Sequence, residues 1–291
     1  MLFGLSPRRA SAWAYLVPLA ALVLSGCTDT AKASEERATH WVSKVSERAT
    51  ADVQDLEHGL PAGIALLAPL YAKGAEASDD MAGIRAGLKH MRSVVPELRR
   101  SDATFLALTD ANGVAIRNDL DQDIMAGQDL WKAFPDLKKT KDGTLAFATG
   151  RFGGTKPTPE PDRDWVTAAP VKNDRGEFDG MLVTGWSLRR LAFHLQEDLR
   201  EQLAAEQTKT KSNDNLPVVY VVVFDKTGAY AAPMTPPVSL KAVLDLDLLT
   251  KTASGPAHGL LTIADRDFGY AALRVPAIEP EGGVVVLWSG V

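Results

Sequence analysis

Cysteine is almost missing from this chain: Cys27 is the one example in 291 residues. A single thiol cannot form an internal disulfide, so the fold must be held by its core. A large excess of one charge is lacking too. The net charge of −5 gives no general attraction to nucleic acid or to anionic lipid. The doublets Arg99-Arg100 and Lys138-Lys139 sit beside acids and read as solvated surface. No apolar run reaches the about 18 residues that indicate a membrane-spanning helix. Catalytic signatures are also missing. There is no Gly-x-Ser-x-Gly elbow, no phosphate-cradling Gly-x-x-x-x-Gly-Lys and no dinucleotide-binding glycine fingerprint. The 5 histidines (His40, His58, His90, His194 and His258) are scattered, with no two-histidine helical metal motif. Asp119, Asp121 and Asp123 have calcium-loop spacing but no central glycine or distal glutamate, so a solvated turn is expected. No enzyme activity, metal or other cofactor is therefore expected, and an envelope hydrolase is the last-ranked reading. What is present is an ordinary globular composition, 45% hydrophobic and 24% charged, on a chain long enough for one large or two small domains.

The first thirty residues carry the sharpest signal. Arg8-Arg9 precede a short apolar stretch, residues 10–24, which is the layout of a secretory signal. It ends in Leu24-Ser25-Gly26-Cys27, which resembles the bacterial lipobox: a branched apolar residue, two small residues, then cysteine. Residues 1–26 are therefore expected to be a signal peptide. Cys27 is expected to carry a diacylglyceryl group as the first mature residue. Each buried methylene contributes roughly 0.8 kcal/mol, and two or more chains give a stable anchor. Thr28 rather than aspartate follows the cysteine. By resemblance to proteobacterial sorting this favours the outer membrane, facing the periplasm.

Residues 27–36 are polar and small and are expected to form a lipidated tether. Residues 37–102 read as a helical stalk. Ala38, Val42, Val45, Ala49, Val53, Leu56 and Leu60 recur at helical spacing, as do Met81, Ile84, Leu88, Met91, Val95 and Leu98. Pro61, Pro69 and Gly74 punctuate the stretch between the two series, which predicts two or three helices. The stripe reads as a face packed on the following domain in preference to a dimer seam, since no strict heptad is sustained.

From residue 103 the periodicity becomes that of strands. Strands are predicted near 104–110, 114–118, 143–149, 165–171 and 180–187, with a helical segment near 126–137 and an amphipathic helix from 188 to about 206. Residues 207–216 are polar and predict a linker. A second β-rich stretch, 217–291, repeats the order. Both stretches begin with an apolar strand ending in Asp-x-x-Gly (Asp110 to Gly113, Asp225 to Gly228). Both close with a proline, a glycine turn and a strand ending in Trp-Ser (Trp186-Ser187, Trp288-Ser289). The repeat predicts an α+β chain: a helical stalk followed by two five-stranded antiparallel sheets, each with helices on one face.

The stretches Phe105-Leu-Ala-Leu-Thr-Asp-Ala-Asn-Gly113 and Ala169-Pro-Val-Lys-Asn-Asp-Arg-Gly-Glu-Phe-Asp-Gly-Met-Leu-Val183 resemble the first strand and the final hairpin of the Cache family of PAS-like extracellular sensor domains. The stalk and the repeat fit its double-Cache layout. The resemblance implies a first module at 103–206, a second and smaller one at 217–291, and a ligand pocket between each helical segment and its sheet. In the first module it implies Trp131, Phe147, Arg151, Trp165 and Thr167 as pocket residues, with Arg151 available to a carboxylate and tryptophan to an amine or an apolar surface. Trp186 and Trp288 are assigned to packing. The second module looks less able to enclose a ligand. Cache modules usually precede a membrane helix and an output domain; neither follows here before Val291, which argues against direct signalling across the inner membrane. The implied function is a lipid-anchored envelope sensor that binds a small organic ligand and passes its occupancy to a partner protein. The alternative is a structural or assembly lipoprotein that uses PAS-like folds as interaction surfaces.

Overall fold

A computed structural model describes residues 17–71, 81–152, 163–211 and 217–290. The basic start of the expected signal peptide (residues 1–16) and the Cys27 side chain lie outside the described residues, as do residues 212–216 of the expected 207–216 linker; residues 207–210 continue the preceding helix. Helix α1 (Val17–Tyr71) is followed by α2 (Met81–Val94) and α3 (Pro96–Arg100). The first sheet comprises β1 (Phe105–Thr109), β2 (Ala115–Asn118), β3 (Ala146–Gly150), β4 (Asp164–Lys172) and β5 (Phe178–Ser187). Between β2 and β3 lie α4 (Leu130–Ala133) and a 3₁₀ segment (Pro135–Asp142). Helix α5 (Leu188–Thr210) leads to the second sheet: β6 (Val218–Asp225), β7 (Gly228–Ala231), β8 (Ala257–Ile263), β9 (Arg266–Arg274) and β10 (Gly283–Ser289). Helices α6 (Pro237–Leu244) and α7 (Leu248–Lys251) separate β7 from β8.

The two sheets have one topology. Their strand orders are β2-β1-β5-β4-β3 and β7-β6-β10-β9-β8, antiparallel throughout. This is the double PAS-like arrangement expected from the internal repeat. The repeated marks sit where the topology needs them. Asp110 and Asp225 each hold a hairpin turn by accepting backbone N–H bonds, from Asn112 and Val114 in one case and from Thr227 and Gly228 in the other. Trp186 is fully buried on the central strand of the first sheet, and its indole donates to the Ser101 carbonyl at 2.8 Å.

Two stretches differ from the sequence expectation. Residues 30–36 are helical, not a loose tether: Ser34 is buried and α1 runs onto the second sheet, where its backbone at Ser34 and Glu35 leaves no room for a Cβ on Gly269. Nor does α1 end at Pro61. Leu60, Gly63 and Leu67 remain buried on the packed side, Gly63 against Met91 of α2, while Pro61 and Ala62 face outward. The carbonyl that Pro61 leaves without a helical partner can be served by water, and packing outweighs the proline's intrinsic cost.

One cluster of apolar side chains runs through both modules. It unites α1 (Trp41, Val45, Leu56), α5 (Leu191, Leu195, Leu199) and the inner faces of both sheets (Trp165, Leu182, Val221, Val286). The expected stalk is therefore a spine that shares a core with each module, and its apolar stripe serves packing. Buried Gln196 of α5 accepts from the Val221 amide of β6 at 3.2 Å, meeting a backbone donor beyond the end of β7.

Candidate functional site

Of the five residues expected to line one pocket, Phe147, Trp165 and Thr167 lie together on one face of the sheet, and Trp131 and Arg151 lie apart from them. Along a strand successive side chains face opposite sides. Val166 and Ala168 belong to the outer core of the first module, whereas Trp165, Ala169 and Val171 belong to the spine core. Trp165 is fully buried there between Trp186 at 5.1 Å and Phe147 at 6.5 Å between ring centroids. Thr167 shares that face, is buried, and donates to the Ala146 carbonyl at 3.3 Å. Phe147 stands beside them on edge strand β3 with 47% of its surface exposed. Arg151 is exposed just after β3 and lies near Tyr230 of the second module. Only Trp131 occupies the expected position on the outer face. It stacks on Phe178 at 6.3 Å, donates to the Met181 sulfur at 3.4 Å, and has the Lys141 ammonium 4.5 Å from its ring centroid.

That outer face of the first module is occupied by the protein's own side chains. Phe105, Val166, Met181 and Val183 of the sheet meet Leu130, Trp131, Phe134 and Leu137 from the helical segment, all buried. The three aspartates with calcium-loop spacing are each engaged by a cation: Asp119 by Arg92, Asp121 by Lys89, and Asp123 by Arg117 at 3.1 Å.

A cavity of about 280 Å³ lies instead in the second module, the one expected to be less able to enclose a ligand. It sits between the β6–β7 hairpin and the helices over the sheet. Phe224, Ala229, Val243, Leu244, Leu248 and Leu249 give it apolar walls, and Asp225, Lys226, Thr227 and Asp247 add polar groups. Pocket and helical segment thus stand in the relation implied for the first module, but one repeat later.

The turn that forms one wall is held from the first module. Asp225 Oδ1 accepts from the Thr227 amide (2.7 Å), the Thr227 hydroxyl (2.6 Å) and the Gly228 amide (3.1 Å). Asp225 Oδ2 lies 3.0 Å from Nε of Arg163, at the base of β4, in an ion-pair contact without hydrogen-bond alignment. Arg163 also donates to the Thr149 hydroxyl at 2.7 Å and lies 3.8 Å from Glu279, which Lys226 meets at 3.3 Å. Tyr230 joins this seam through a 2.7 Å hydrogen bond with Thr227. Burial pushes its phenol above the ordinary range; the Thr227 bond and the nearby Arg163 and Arg151 oppose the shift. Sequence pattern marked Asp225 as a turn residue only. Nothing in the sequence signalled that Arg163 would meet it from the other repeat.

A second polar cluster joins the two helices that bridge the modules. Asp52 of α1 is fully buried, 2.9 Å from Arg48 and 3.2 Å from His194 of α5. Arg48 also donates to the Arg100 carbonyl at 3.2 Å. His194 Nδ1 lies 3.8 Å from Asp102, itself paired with Arg190.

No protein-family model matches the sequence, and no relative among the curated proteins does. Similarity appears in solved structures, at the level of fold. The extracellular domain of a protein described as a histidine kinase superposes with a TM-score of 0.53 at 10% identity, over 90% of this chain and 93% of that one. A second such histidine-kinase domain gives 0.51 at 14% identity, over 89% and 95%. An extracellular ligand-binding receptor from Desulfohalobium retbaense also gives 0.51, at 13% identity, over 87% of this chain. This chain spans 40% of that receptor's length. Each of these neighbours is described as an extracellular domain or receptor, and the fold found here is theirs.

Proposed function

We propose that this chain is an envelope sensor: a double Cache-like module, tethered by a lipid on Cys27, that binds a small organic ligand and signals to a partner protein. The observation that carries the reading is the meeting of the two ends of the fold. The Gly290 amide, just past the last strand, donates to the Ser34 hydroxyl at 3.2 Å. Ser34 is seven positions after the proposed lipid-bearing cysteine. A lipid at Cys27 would hold the second module next to the membrane and turn the first outward, and both modules would report through the same end. The cavity beside the β6–β7 turn supports the ligand-binding part of this reading, and the spine core shared by the modules supports the signalling part. No helix among the described residues is long and apolar enough to cross a membrane.

The test has two arms. Palmitate labelling of the expressed protein should be lost in Cys27→Ser; labelling that persists removes the anchor. The protein, purified in detergent, should show a raised melting temperature with at least one compound from a panel of amines, amino acids and organic acids. A ligand at a hundredfold excess over its Kd stabilises by about 2.7 kcal/mol. No shift across the panel would leave the binding reading without support.

A specific observation favours the second reading, an assembly lipoprotein that uses its surfaces for protein contacts. The outer face of the first module is filled by its own side chains, while Phe147 is half-exposed on β3, an edge strand among the described residues. Cross-linking in cells from position 147 to a single envelope protein, together with a silent ligand panel, would decide for it.

A further inference from the structure

We propose that the second-module cavity is a site for a small primary amine with a short apolar tail, its ammonium held by Asp247; this rests on the sensor reading above. The cavity's size sets the first limit. At about 280 Å³ it lies just below the usual range of ligand pockets, about 300 to 1,000 Å³, so its occupant has few heavy atoms. Its walls set the second. Phe224, Val243 and Leu248 are buried and apolar and would cover a hydrocarbon tail.

A census of charge sets the third. Three ionisable side chains line the cavity: Asp225, Lys226 and Asp247. Both oxygens of Asp225 are engaged, one by the turn and one by Arg163. Lys226 is drawn to Glu279 at 3.3 Å. Asp247 has no side-chain capping bond on α7, and no described residue pairs with its carboxylate. The uncommitted charge is therefore negative, and it selects a cation over a carboxylate. Three ammonium donors on a compact head suit one carboxylate at the mouth of an apolar cleft. Asp247 stands in the left-handed region at φ 48°, where Asp and Asn are the best tolerated side chains after glycine. Asn is thus a clean replacement that removes charge and keeps backbone and shape.

The experiment is calorimetric titration of the detergent-purified full chain at neutral pH. The probes are isoamylamine, isoamyl alcohol and isovalerate, which share a tail and differ in the head. The amine should bind saturably, with the alcohol and the acid weaker by roughly tenfold or more. Asp247→Asn should weaken the amine by roughly the same factor and leave the melting temperature without ligand unchanged. Ala229→Leu, which fills the cavity, should abolish binding. Amine binding no tighter than that of the alcohol, or unaltered by Asp247→Asn, overturns the proposal. Failure here and failure of the sensor reading are separable. If another compound class raises the melting temperature while isoamylamine does not bind, this site falls and the sensor stands. If nothing in the wider panel acts, both fall.

Discussion

His194 and Asp52 meet at 3.2 Å where α5 crosses α1, and the carboxylate in that pair is fully buried. Removing either partner has a different expected cost. His194→Ala leaves the carboxylate with Arg48 alone in a space with little water. A buried acceptor that loses a partner costs about 1–3 kcal/mol, so the variant should melt earlier at neutral pH, as read by circular dichroism.

The pH dependence follows from Asp52 itself. Burial raises its pKa above the ordinary 3.8, against the pull of His194 and Arg48. The folded state thus binds this proton more readily than the unfolded chain. The favourable contribution is complete below the unfolded pKa and is lost as pH rises through the raised folded value. Asp52→Asn cannot titrate. Its stability relative to the parent should therefore improve as pH rises from about 3.8 through the folded pKa, then level off. Melting curves from pH 3 to 8 check this; a difference that is flat or of opposite slope refutes it.

Arg163→Met should weaken the union of the modules. It leaves buried Asp225 without its cation, while Glu279 keeps Lys226, and breaking a buried ion pair from one side costs about 3–5 kcal/mol. Amide exchange should quicken in residues 226–229, because Asp225 loses the contact that orients it over the turn. Unchanged exchange there would mean that the turn is self-sufficient.

Gln196→Leu keeps the volume of a buried side chain but leaves the Val221 N–H without its acceptor. A loss of about 1–3 kcal/mol is expected in urea denaturation, with faster exchange at Val221. The effect tests whether α5 is fastened to the second sheet by this bond or by apolar contact alone.

Trp165→Ala should destabilise by about 3–5 kcal/mol whether or not a ligand is added, since the ring is sealed between Trp186 and Phe147 on the spine face. Retained ligand response in a milder Trp165→Phe variant would agree with that placement. Selective loss of the response at full stability would contradict it.

Sequence pattern was informative where local chemistry decides the outcome. Asp-x-x-Gly marked both hairpins because the aspartate bonds its own turn. The Trp-Ser endings marked both central strands, and the β-rich runs gave the five strands of the first module within a few residues. It was uninformative where distant groups decide. Pro61 reads as a stop, yet Leu60 and Leu67 keep the helix through their burial. Trp165 and Val166 are equally apolar, and only the placement of α1 and α5 determines which of the two faces the spine. The cavity escaped because its emptiness depends on how α6 and α7 settle over β6 and β7. Asp247 itself carried no signal, since its lack of a partner is a property of the neighbours.

Helix α1 also acts as a ruler. From Ser34, seated on the second sheet, to Leu67, buried beside the first module, it advances about 50 Å along its axis at 1.5 Å per residue. Under the proposed lipid anchor at Cys27, that length would set how far from the bilayer the first module presents Phe147 and the β3 edge. Deleting or inserting whole turns could not change this reach without pulling the spine out of register with one sheet or the other. The spacing between the two modules is thus written into the same apolar stripe that holds them together.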